Sequence, residues 1–115
     1  MLYKSKPKQI HLYCKIVDFR KQINGLSAIV EDEFKARSLE DSWFVFISRD
    51  KKKVKLLYWR GAGLCLWQYR LDSKKFDLGR PRSVVNREIS WSDLGLFLDG
   101  YNIFSHGREK LKRYS

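Results

Sequence analysis

Val54-Lys55-Leu56-Leu57-Tyr58-Trp59-Arg60-Gly61-Ala62-Gly63-Leu64-Cys65-Leu66-Trp67-Gln68-Tyr69-Arg70-Leu71 is the stretch that decides the fold. Two aliphatic and aromatic runs flank Gly61-Ala62-Gly63, which predicts a hairpin of Val54 to Arg60 with Leu64 to Leu71. Successive strand residues point to opposite faces. Leu57 and Trp59 therefore oppose Leu56 and Tyr58, and Leu64 and Leu66 oppose Cys65, Trp67 and Tyr69. Both faces carry large apolar groups. One helix can cover one face, and the other needs a second layer, a partner or a ligand.

Working upstream, Trp43 to Ser48 reads as a third strand by its aromatic and β-branched content, joined to the hairpin by a turn at Arg49 to Lys53. The three form an antiparallel meander. Gln9 to Val17 alternates Ile10, Leu12 and Cys14 with His11, Tyr13 and Lys15, as a strand does. Asp18 then reads as a helix N-cap. Phe19, Ile23, Leu26, Val30 and Phe34 form a helical stripe, so an amphipathic helix is expected to about Lys35. Asn24-Gly25 inside it conflicts with helix propensity and points to close packing or a break in the first turns.

Downstream, Asp72 to Glu88 is loop-like, with room for a short strand around Phe76. Ser90-Trp91-Ser92-Asp93 fits a capping box, and a short helix from Trp91 to Asp99 is stopped by Gly100. The expected class is α+β: a small antiparallel β-meander sheet of about four strands, with one long amphipathic helix on a face and a second short helix near the C-terminus. That second helix caps an edge or the second face. Residues 1–8 read as a basic flexible lead-in, 9–104 as a single α+β domain and 105–115 as a basic tail.

The chain has 115 residues and 13.8 kDa, which suits one domain and excludes a two-domain enzyme. Its 43% hydrophobic and 15% aromatic content is too rich for disorder. The net charge is +11, and it is uneven: residues 1–48 hold 8 basic and 6 acidic side chains, residues 49–115 hold 16 and 7. Such a field attracts polyanions, nucleic acid first. The longest apolar run, Trp43 to Ile47, is far too short for a transmembrane helix or a signal segment, so no membrane association is expected. Cys14 and Cys65 stand apart and read as buried small apolar residues in a protein of the reducing cytosol.

Catalytic and metal constellations are weak. His11 and Cys14 lie three positions apart, so a strand sends them to opposite faces, and no second ligand pair accompanies them. Asp18, Asp50 and Asp99 read as a cap, a turn residue and a helix end before they read as metal carboxylates. Neither His has a nucleophile motif, and no glycine-rich phosphate loop is present. The expectation is a non-enzyme without cofactor or metal.

The basic and aromatic pattern carries more weight. Arg49, Lys51, Lys52, Lys53 and Lys55 cluster at one end of the meander, Arg60 and Arg70 lie farther along it, and Arg20 and Lys21 sit on the first helical turn. These are the candidate nucleic-acid-binding residues, since cations neutralise phosphates. Tyr58, Trp59, Trp67 and Tyr69 are the candidate stacking or partner-binding rings. Arg80, Arg82 and Arg87, with Arg108, Lys110, Lys112 and Arg113, can extend the footprint.

Three blocks together resemble the Orf2-like, TnpB-type proteins of the bacterial insertion-sequence family sixty-six. Asp18-Phe19-Arg20-Lys21 leading into Ile23-Asn24-Gly25-Leu26 resembles the family's helix opening, the 54–71 hairpin its Gly-x-Gly hairpin, and Leu94 to Gly100 (LGLFLDG) its Leu-rich segment ending in Gly. The chain departs in having Arg60 where Asp is usual, Phe19 where Met is usual, and an added basic tail. The resemblance implies a cytoplasmic accessory protein of a mobile element that assists DNA transposition beside a separate transposase. It carries over no catalytic residue. DNA and the transposase of the same element are the implied partners. A protein-interaction adaptor without direct DNA contact is the alternative, and a metal-dependent nuclease is the third reading.

Overall fold

A computed structural model describes residues 6–34, 41–77 and 85–104. Most of the expected lead-in, residues 78–84 with Arg80 and Arg82, and the expected tail with Arg108, Lys110, Lys112 and Arg113 lie outside the described residues. The elements run β1 (Gln9–Ile16), α1 (Ile23–Glu33), β2 (Ser42–Ile47), β3 (Lys53–Arg60), β4 (Gly63–Arg70), β5 (Asn86–Ile89) and α2 (Trp91–Leu98). They build one five-stranded sheet of order β4-β3-β2-β1-β5.

The meander β2-β3-β4 is antiparallel as expected, with Leu56 facing Val45 on one side and Trp67 on the other. The sheet as a whole is not. β1 pairs with β2 in parallel, from Gln9 opposite Ser42 to Ile16 opposite Ile47, so the sheet is mixed. The reason is the connection: a helix between two strands returns the chain to its starting end, and the second strand then runs the same way. β5 closes the other side of β1 antiparallel, with Ile89 opposite Ile10. The strand expected around Phe76 is absent there; Phe76 is buried in an irregular segment, and the extra strand is Asn86–Ile89.

Alternation then divides the core into two. Ile10, Leu12, Trp43, Val45, Ile47, Val54, Leu56 and Tyr58 share a face with Leu94 and Phe97 of α2, together with Leu71 and Phe76. Phe44, Phe46 and Leu57 point the other way, to Leu26, Val30 and Phe34 from the α1 segment. The chain thus supplies its own second layer, and α2 lies on the second face. Each fully buried ring such as Phe44 contributes about 2–3 kcal/mol of burial free energy.

Neither helix is long. α1 has 11 residues and begins at Ile23, four residues later than its apolar stripe suggests. Asp18 does not cap it. Its Oδ1 accepts the Arg20 amide at 2.9 Å and its carbonyl accepts the Lys21 amide at 3.0 Å, a local turn that competes with helix. Gln22 occupies the N-cap position without a side-chain hydrogen bond. Gly25 resolves the propensity conflict: a Cβ there would stand 3.0 Å from Lys21 Cβ, so glycine lets the turn close onto the helix.

α2 follows its sequence signals. Ser90 Oγ accepts the Asp93 amide at 3.0 Å, and Gly100 takes the left-handed conformation (φ 89°) just beyond the helix. Ser90→Ala is expected to lower stability by about 1 kcal/mol, a fall of roughly 5 °C in melting temperature by calorimetry. An unchanged melting curve would remove the cap from the account of α2.

Candidate nucleic-acid interface

The turn between β2 and β3 is held by its own polar groups. Ser48 Oγ donates to Asp50 Oδ1 at 2.6 Å and accepts the Lys53 amide at 3.0 Å, while Asp50 Oδ1 also accepts the Lys52 amide at 3.0 Å. The Ser48 hydroxyl and then the Lys52 amide hold the Asp50 carboxyl below its ordinary value. What Asp50 adds to the turn is therefore present above the usual carboxylate pKa and is lost as pH falls through its lowered folded value. Lys51 sits in the left-handed region at φ 60°, which turns the chain sharply and is unusual for a residue with a Cβ.

This turn presents Arg49 exposed and Lys51, Lys52 and Lys53 half-exposed. Arg70, which the sequence puts farther along, joins them because β4 pairs Arg70 directly opposite Lys53. Its guanidinium lies 4.0 Å from Asp72. The next segment docks on the same turn, with the Leu71 amide on Lys52 O at 2.8 Å and the Phe76 amide on Lys51 O at 2.7 Å. That docking brings the exposed Lys74 and Lys75 to this end of the sheet. No spacing rule flags them, because only the fold of an irregular segment places them there.

Arg20 reaches the same region from elsewhere in the chain. Since β1 and β2 are parallel, their carboxyl ends lie side by side, and the chain leaves both at one place. A cleft of about 640 Å³ opens there, lined by Ile16, Val17, Asp18, Phe19, Arg20, Ser48, Arg49 and Asp50. Clefts at the carboxyl ends of parallel strands are the usual ligand position in open α/β sheets. The Arg20 guanidinium forks onto Asp18, with Nε at 3.1 and 3.0 Å from the two carboxylate oxygens and Nη2 at 2.6 Å. These bonds hold the Asp18 carboxyl well below the usual carboxylate range. Lys21 is exposed beside it.

Lys55 does not belong to the exposed patch. It is 1% exposed, and its ammonium donates to Phe19 O at 2.9 Å and Lys21 O at 2.8 Å while lying 4.8 Å from the centre of the Phe19 ring. Burial pushes its pKa down. Strand parity carries the signal, because residue 55 is two before the inward-facing Leu57.

Arg60 is also separated from the cluster. It faces Gly63 at the hairpin tip, the full length of an eight-residue strand from Lys53, or about 23 Å. Arg87, half-buried on β5, lies over the Phe104 ring at 4.7 Å.

The four nominated rings do not form one platform. Tyr58 is buried against Trp43, with ring centres 5.1 Å apart, and burial raises its pKa. Trp59 is half-buried near the hairpin tip. Trp67 and Tyr69 stack on each other at 5.4 Å on β4, an edge strand, and remain partly accessible. Cys14 and Cys65 are half-buried rather than fully buried, both packed against the α2-side core. Burial raises the Cys14 pKa against an opposing effect of Arg87. His11 faces the other way, 5.1 Å from the Phe34 ring. Among the described residues, no group of three or more His, Cys, Asp or Glu side chains is placed to hold a metal ion, and no helix is long and apolar enough to cross a membrane.

Fold and cleft together define a small, strongly basic α+β domain with a cluster of cations at one end of a mixed sheet. Comparison with known proteins supplies the family. The model of the IS66 Orf2-like proteins matches residues 8–108, so the chain belongs to that insertion-sequence family. It is also similar to an uncharacterized protein y4jC of Sinorhizobium fredii (strain NBRC 101917 / NGR234), at 33% identity over 76 residues. That match covers 66% of this chain and 65% of the relative. No solved structure matches the chain.

Proposed function

We propose that this protein is a non-catalytic accessory factor of its insertion sequence, acting in the cytoplasm and contacting DNA phosphates with the end of the sheet that carries Arg49, Lys51, Lys52, Lys53 and Arg70, with Arg20 across the cleft and Lys21 beside it. The observation that supports this is the convergence of cations from separate segments on one end of the molecule. Membership of an insertion-sequence family supports a role beside the element's transposase. Phosphate contacts are worth most where counterions are released, so binding is expected to be strong at low salt and largely independent of sequence.

A salt titration of binding to short duplexes tests it. With five phosphates neutralised, log K against log salt should fall with a slope of about −4.5. No association at low salt would sink the DNA reading.

A second reading has its own observation. The stacked, partly accessible Trp67 and Tyr69 on edge strand β4 suit an adaptor that holds the transposase. Co-purification with the transposase that is lost in a folded Trp67→Ser variant, from a protein that does not bind DNA, would favour that reading.

A further inference from the structure

We propose that Lys55 is a positioning residue: a buried cation that clamps the turn after β1 and so sets where Arg20 stands across the cleft from Arg49, with Lys21 beside it. This rests on the DNA reading given above.

An isolated ammonium is costly to bury. Lys55 sits in the middle of β3 on the α1 side, opposite Phe46 on β2 and Gln68 on β4, with its side chain sealed from solvent. Among the described residues no carboxylate pairs with it. An apolar side chain of similar length would suit such a place better by burial alone, since replacing buried charge with apolar groups is often neutral or stabilising. What the charge adds is its pair of hydrogen bonds, to the carbonyls of Phe19 and Lys21 at 2.9 and 2.8 Å, with the Phe19 ring closing over the ammonium.

Those bonds act on the residues that bear the cations. A peptide unit is planar and trans, so a carbonyl drawn inward turns the following N–H outward. The Phe19 carbonyl faces Lys55, and the Arg20 amide is taken on the other side by Asp18 Oδ1 at 2.9 Å. The Lys21 amide is taken by the Asp18 carbonyl at 3.0 Å while its own carbonyl faces Lys55. Residues 19–21 are thus gripped from inside by Lys55 and from outside by Asp18. Phe19 packs on the α1-side core, but the exposed Arg20 and Lys21 side chains add no burial of their own, and this grip fixes their backbone instead. Fixing the cations before binding reduces the ordering entropy that DNA would otherwise have to offset.

Lys55→Met keeps the length and apolar stem and removes the donors. The variant should weaken duplex binding at fixed salt by about 10-fold through lost preorganisation. Amide hydrogen exchange at Arg20 and Lys21 should accelerate while the 48–53 turn stays as in the parent protein. In a background of Arg20→Gln with Lys21→Gln, Lys55→Met should add nothing further, whereas in a Lys52→Gln background its full effect should remain. Equal losses in both backgrounds would show general destabilisation and overturn the proposal. Exchange at residues 20 and 21 that does not change would overturn it as well, whether or not the parent protein binds DNA. Failure of the parent to bind DNA would instead remove the function reading alone. If Lys55→Met does not fold, the parent protein decides: the ¹⁵N-labelled Lys55 ammonium should exchange slowly and show coupling to the Phe19 and Lys21 carbonyl carbons, and a freely exchanging ammonium would end the proposal.

Discussion

Changing Lys51 to Asn, Lys52 to Gln and Lys53 to Gln in one protein should weaken association with duplex DNA by about 100-fold at low salt and make the salt slope shallower by about 2.7, three phosphates at 0.9 each. Asn is chosen at position 51 because its φ of 60° tolerates Asn better than most residues with a Cβ. The fold should survive. The turn's hydrogen bonds involve Ser48 and Asp50 side chains and backbone groups, none of which the substitutions remove. Fluorescence anisotropy against salt reads both quantities. A triple variant with the parent slope would move DNA contact away from this end of the sheet.

Phe76→Ala is expected to have the largest effect on stability, lowering it by about 3–5 kcal/mol and the melting temperature by on the order of 15 °C. Phe76 is 2% exposed in a segment with no regular structure. It stacks on Phe97 of α2 at 5.0 Å and lies 6.3 Å from Tyr69 on β4, so one ring joins the irregular segment, the second helix and the edge strand. Small domains have only about 5–15 kcal/mol in total, so this loss is a large share. A decrease below about 1 kcal/mol by chemical denaturation would mean that α2 is held by its other contacts. The same variant should loosen Lys74 and Lys75, because the buried ring anchors the segment whose residue-76 amide bonds to Lys51 O.

Much of the architecture is legible from local pattern. The hairpin, the β2 strand, β1 to within a residue and the Ser90 cap all follow from signals spanning a few positions. Alternation also separates the two faces correctly, from Leu56 and Tyr58 against Leu57 to Cys65, Trp67 and Tyr69 against Leu64 and Leu66. The departures have separate causes. The Phe19 stripe has helical spacing, yet Asp18 and the Lys55 ammonium take its first residues into a turn. A four-residue strand such as Asn86–Ile89 carries too little pattern to stand out from a loop.

The candidate site divides in the same way. The Arg49 to Lys53 run is contiguous, so its clustering needs no fold. Arg20, Arg70, Lys74 and Lys75 come to it only through strand pairing and segment docking. Lys55 leaves it because strand parity turns the side chain inward, and Arg60 because a β-strand is long.

By itself the sequence determined four of the five strands, which of their residues share a face, and that the positive charge is concentrated in the second part of the chain. Those properties depend on neighbours within a few residues. Tertiary structure alone decided that β1 lies parallel to β2, that a cleft therefore opens where their carboxyl ends meet, and that the inward-facing Lys55 finds its partners in the carbonyls of Phe19 and Lys21. Strand order and register depend on contacts between distant segments, which local periodicity does not encode.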